Sequence, residues 1–230
     1  MSLRLFSALA ACLVLAACAT PPGTRAGPDT AAPGQVINFV EVARRVEPVA
    51  EEECLRRHPG ANCDFRIVVD DRPYMEPNAY QTLDSSGRPV LAFTAALIAI
   101  MQNEDELAFV MSHEASHHIA GHLDRMGQNA SAGAAAFGRI ARETAGATPD
   151  SIREAEMLGA QVGARSYSKE FELEADRLGA LVATEAGFDP LRGADFFLRL
   201  PDPGNRFLGT HPSNAERIAT VRAAVAEFGA

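Results

Sequence analysis

Two histidines four residues apart constrain the centre of this chain more than anything else in it. The stretch FVMSHEASHHIAGH, Phe109 to His122, holds four of the chain's six histidines. Histidine is a mediocre helix former and a poor core residue, so such crowding calls for a solvated face or a chemical task. On a helix His113 and His117 stand one turn apart on one face, where both rings can reach a single ion. Glu114 sits beside them. In this H-E-x-x-H pattern two neutral imidazoles bind zinc, and the glutamate stands next to the open coordination position, ready to take a proton from water. His118 and His122 point to other faces and read as surface or helix-packing histidines.

Two imidazoles leave zinc one protein ligand short. YSKEFELEADRLGA, Tyr167 to Ala180, places Glu172 and Asp176 four apart on one face of a second expected helix. Glu172 would complete a His2Glu site, and Asp176 would accept the free N–H of a ligand histidine and fix its tautomer. Taken alone, ELEAD would be a solvated acidic face, and Glu174 is read as that.

The amino terminus reads as an address. MSLRLFSALAACLVLAACATPPG has one charge at Arg4, an apolar run from Leu5 and small residues before Cys18, followed by a Pro/Gly/Thr-rich stretch. Leu15-Ala16-Ala17-Cys18 resembles the bacterial lipobox, whose cysteine is lipidated after cleavage; the same letters at Cys12 would leave too short an apolar region. Ala19 after the cysteine resembles lipoproteins sent to the outer membrane. The expected organisation is a signal peptide over 1–17, a tether over 18–35, an N-terminal helical segment with a Cys54–Cys63 loop over 36–64, and a zinc metallopeptidase domain over 65–230. Outside the cytoplasm Cys54 and Cys63, which flank a turn at Pro59-Gly60, are expected to pair; two free buried thiols are the alternative.

The remaining chain suits a globular core, with 47% hydrophobic and 22% charged residues. Net charge −9, scattered arginines and no tryptophan exclude a nucleic-acid surface. The apolar run Val90 to Met101 would reach only ~18 Å as a helix, short of a ~30 Å hydrocarbon core. It reads instead as a strand, PVLAF, then Thr94 capping a helix from Ala95 to Gln102. Phe65 to Val69 reads as another strand. Helices are expected over Glu104 to about Met126, Ala134 to Thr144, Ser151 to Arg165, Glu170 to Ala186 and Ser213 to Phe228. The fold class is therefore mainly α with a small β-sheet, a zincin-like domain around the H-E-x-x-H helix.

HEASH, YSKEFELEAD and FLGTHPSNAERI, with EPNAY, NEDELAF and AGFDP in the same order, resemble the gluzincin family that includes the HtpX heat-shock proteases, the CaaX prenyl proteases and periplasmic outer-membrane quality-control lipoproteins. The resemblance spans roughly Phe65 to Arg222. It implies Glu172 as third ligand, His211 as a group that stabilises the oxyanion, and an orienting role for Arg217. A lone His-Pro before a helix would otherwise be a turn, with Ser213 as N-cap. The integral-membrane relatives' spanning helices have no counterpart here, which speaks against prenyl-peptide processing. No internal repeat of about 20 to 50 residues is seen, and the C-terminal repeat domain that outer-membrane quality-control relatives often carry has no counterpart before Ala230, so substrate delivery or chaperone activity of that kind is not expected. The family's edge strand, the place for an extended substrate, maps least clearly; Pro89 to Phe93 is assigned to it.

Together these readings predict a zinc metalloendopeptidase on the periplasmic side of the outer membrane, with one Zn2+ per chain and Glu114, His211 and Asp176 as catalytic groups. Its partners would be polypeptide substrates, the membrane through a lipid anchor, and the outer-membrane assembly machinery. The rival is a zinc-containing chaperone or assembly lipoprotein, with the Ala/Gly-rich stretch Ala130 to Arg165 as a lid over the site.

Overall fold

The computed structural model describes residues 37–204, 209 and 211–228. The signal peptide, Cys18, the tether and Thr210 of the THPS element lie outside the described residues. Helix α1 (Phe39–Arg57) is capped by Asn38, whose side chain accepts from the Glu41 N–H. Its Val42, Val46, Ala50 and Cys54 recur every four residues and form one fully buried stripe. That stripe joins the same core as the other described elements. A disulfide joins Cys54 to Cys63.

Strands β1 (Arg66–Asp70), β2 (Ala79–Leu83) and β3 (Pro89–Thr94) form one sheet in the order β1-β3-β2, with β1 parallel and β2 antiparallel to β3. The expected edge strand is thereby corrected. The apolar PVLAFT is the buried centre of the sheet, and the edges are β1 and AYQTL, the latter half-buried over its first three residues and exposed over its last two. Thr94 caps α2 (Ala95–Ile100) as expected, its hydroxyl accepting from the Leu97 N–H.

Helix α3 (Glu104–Ile119) starts at the Asn103 cap with three acidic residues in its first turn and is buried on nearly all sides. Among them Glu106 is only 1% exposed; Arg199 grips it with two bonds of 2.8 and 2.6 Å. The expected single helix to Met126 breaks in two. Gly121 takes a left-handed conformation, φ 65°, and α4 (His122–Arg142) departs in a new direction. Helices α4 and α5 (Pro149–Arg165) form a hairpin packed mainly on itself. Helix α6 (Ser168–Glu185) then returns along α3. A short α7 (Pro190–Ala194), a 3-10 turn (Asp195–Arg199) and α8 (Asn214–Phe228) close the core. No helix among the described residues is long and apolar enough to cross a membrane.

A candidate metal centre between two helices

Helices α3 and α6 approach closely because Gly179 offers no side chain at their crossing: a Cβ there would lie 3.0 Å from the backbone N and Cα of His113. Glu172, Asp176 and Gly179 follow the i, i+4, i+7 pattern of one helix face, so the close approach carries both carboxylates to the histidines.

His113 Nε2 and His117 Nε2 stand 3.1 Å apart. Glu172 Oε2 lies 3.6 Å from the first, and Glu172 Oε1 3.4 Å from the second. A tetrahedral ion with arms of 2.0–2.1 Å requires ligand atoms about 3.3–3.4 Å apart, and two imidazole nitrogens with one carboxylate oxygen are a donor set zinc accepts. The three residues thus fit a metal in both spacing and chemistry, and they are the group among the described residues that does so.

The surroundings favour a cation. Burial and the Arg217 guanidinium oppose charge on His113, yet Asp176 and Glu172 outweigh them and raise its pKa to about 9. Burial pushes Glu172 upward, but hydrogen bonds from His113, His117 and His211 hold it well below the usual carboxylate range. Asp176, fully buried, is likewise raised by burial and lowered more strongly by Arg217 and His113. Its Oδ1 lies 2.9 Å from His113 Nδ1, and Arg217 donates to both of its oxygens at 2.6 and 2.8 Å while stacking over Phe197. A carboxylate only accepts, so Nδ1 of His113 keeps its hydrogen, and it is the Nε2 proton that must leave for that nitrogen to present a lone pair.

The cluster lies at the floor of a cleft of about 440 Å3, bounded by Glu114, by β2 at Ala79 to Gln81, by His211, and by an apolar wall of Leu97, Val110, Phe197 and Leu200. His211 is exposed at the rim, its Nδ1 3.2 Å from Glu172 Oε2. Ser213 and Glu216 cap α8 reciprocally behind it. Leu123 and Met126 at the base of the hairpin line the cleft, and none of residues 130–165 does.

His118 packs as expected, edge-on to Phe65 with its Nε2 2.8 Å from the Asn62 carbonyl. His122 does not. It is buried, its Nδ1 lies 2.8 Å from His117 Nδ1, and its Nε2 lies 3.2 Å from Glu174 Oε2. Burial, then the neighbouring His117, lower its pKa to about 4 against the pull of Glu174. Glu174 lies on the exposed face of α6 as expected, and Arg125 holds it at 2.7 Å. The available signal was Gly121: a helix that breaks there can turn the next residue back toward the face it left.

The sequence pattern of Peptidase family M48 matches residues 37–225, a span that includes α1, the sheet and every residue of this centre. A putative beta-barrel assembly-enhancing protease of Vibrio cholerae serotype O1 is 29% identical over 203 residues, covering 80% of this chain and 42% of that protein. The beta-barrel assembly-enhancing proteases of Escherichia coli K12 and Yersinia pestis are each 33% identical, covering 56% of this chain and 29% of their own lengths. The chain thus spans less than half the length of these curated relatives. With the family pattern running through the fold from α1 to α8 and through the paired histidines and carboxylates between α3 and α6, this chain belongs to peptidase family M48.

Proposed function

We propose that the chain is a zinc-dependent endopeptidase of the bacterial cell envelope, acting on unfolded or misassembled envelope polypeptides. The observation that carries this reading is the convergence of His113 Nε2, His117 Nε2 and the Glu172 carboxylate at the floor of a cleft that Glu114 also lines. Zinc held by these three residues would supply Lewis acidity to water and to the substrate carbonyl. Glu114 takes the proton of the attacking water and gives it to the leaving amine. Asp176, itself clamped by Arg217, keeps the His113 ring oriented. His211 at the rim donates to the oxyanion as it develops.

Substrate main chain pairs with β2. The Thr94 N–H donates to the Asn78 carbonyl just before the Ala79–Phe93 pair, so by alternation the N–H and C=O groups of Ala79, Gln81 and Leu83 face the open edge. Main-chain pairing holds any sequence in register and suits unfolded clients. The names of the relatives support a place beside the outer-membrane assembly machinery. Cys18 would be the lipidated first residue after removal of 1–17, with 18–35 as tether and 65–230 as the catalytic domain. A purely structural zinc site has no use for a carboxylate at Glu114, which sets the enzyme above a chaperone with little proteolysis. Casein hydrolysis by the purified protein tests the reading: a chelator should abolish it and zinc should restore it. Turnover indifferent to the chelator would refute it.

A further inference from the structure

We propose that His122 and Glu174 are positioning residues that set the His117 ring so that its Nε2 presents a lone pair to the metal. The inference rests on the reading that His113, His117 and Glu172 hold zinc, and it concerns a chain of contacts running away from that centre. Glu174 is a carboxylate held at 2.7 Å by Arg125, and it can only accept. His122 Nε2, 3.2 Å away, is therefore the nitrogen that carries hydrogen. A neutral imidazole has one N–H, so His122 Nδ1 is an acceptor. It faces His117 Nδ1 at 2.8 Å, a separation that admits one hydrogen between the two nitrogens. That hydrogen belongs to His117, which leaves His117 Nε2 bare on the side of His113 and Glu172.

The arrangement makes the two ligand histidines complementary. Asp176 fixes His113 directly, and Glu174 fixes His117 through His122. All three acidic residues of ELEAD then serve the centre, although Glu174 leaves α6 in a different direction from Glu172 and Asp176. His122 is held for the task by stacking on Phe171, with ring centroids 4.5 Å apart and an interplanar angle of 13°. Arg125 in turn lies over the Phe171 ring at 4.3 Å. Neither contact would be needed to fill space with a histidine; an apolar ring would pack there as well.

The test is zinc affinity, measured by competition with a chromophoric chelator on the full chain. His122→Phe keeps a ring on Phe171 but removes the acceptor; its zinc Kd should rise about 10- to 100-fold, while metal-free melting stays at the wild-type temperature. His122→Asn places an amide oxygen near the position of Nδ1 and should recover most of the loss, a rescue that a merely structural role would not give. Imidazole 15N NMR of the zinc-loaded chain should find His117 protonated on Nδ1 and His122 on Nε2. Wild-type affinity in His122→Phe, or His122 protonated on Nδ1, would overturn the proposal and leave the metal centre standing. A wild-type chain that binds no zinc would instead remove the centre and this inference with it.

Discussion

Gly179→Ala should weaken the metal centre although alanine is the better helix former. In the middle of α6 the exchange favours the helix by about 0.8–1.0 kcal/mol. The added Cβ, however, would sit 3.0 Å from His113 N and Cα and 3.3 Å from the Ser112 carbonyl carbon. Carbon contacts settle near ~3.5–4.0 Å, and the obstacle is backbone inside a buried helix, so α6 must retreat by several tenths of an ångström. Overpacking of this kind costs about 1–3 kcal/mol, which leaves a net loss of roughly 0–2 kcal/mol. The sharper effect falls on the ligands. Glu172 and Asp176 share the retreating face, and zinc Kd should rise about 10-fold, the lower end for disturbed supporting groups. Gly127→Ala is the control: nothing lies within 4 Å of a Cβ there, and it should gain helix stability with zinc binding unchanged. Urea melts of the metal-free proteins and chelator competition read both. If Gly179→Ala stabilises as much as Gly127→Ala and keeps wild-type zinc affinity, the account of the α3–α6 crossing is wrong.

Arg199→Ala should lower stability by about 2–4 kcal/mol in urea melts, because the Glu106 carboxylate, 1% exposed, loses its main partner; a partly exposed arginine places the loss below the fully buried case. Replacing Cys54 and Cys63 together by alanine should cost about 2–3 kcal/mol, the loop-entropy value for a sequence separation of 9, and both thiols should resist alkylation until reduced. His211→Ala should reduce kcat by ~10²- to 10³-fold with little change in KM and none in zinc content. A kcat near wild type would make His211 part of a turn only, and lost zinc would make it a ligand.

The convergence of His113, His117, Glu172 and Asp176 was legible because helices repeat. HEASH and ELEAD each place two chemically matched side chains four apart, and that spacing survives whatever the rest of the chain does. The cap at Thr94 and the cysteine pairing were legible for the same reason, being local. His122 was not, since its place depends on one left-handed glycine that splits an otherwise continuous helical pattern and swings the chain back toward His117. Glu174 is exposed as the helix periodicity implies, but its contacts with His122 and Arg125 come from the start of α4, and no periodicity within α6 reports those. AYQTL escaped as a strand because an edge strand is short, half polar and stabilised by a partner that is itself identified only by its apolar run. The buried Glu106–Arg199 pair joins residues 93 apart in sequence, beyond any local pattern.

The central claim is that Glu114 moves the proton while His113, His117 and Glu172 hold the metal. Glu114→Gln separates the two, since the amide fills the same space but cannot accept the proton. Zinc content and casein hydrolysis measured on the same preparation decide it. The account predicts stoichiometric zinc with hydrolysis lost; zinc retained with wild-type turnover would contradict it.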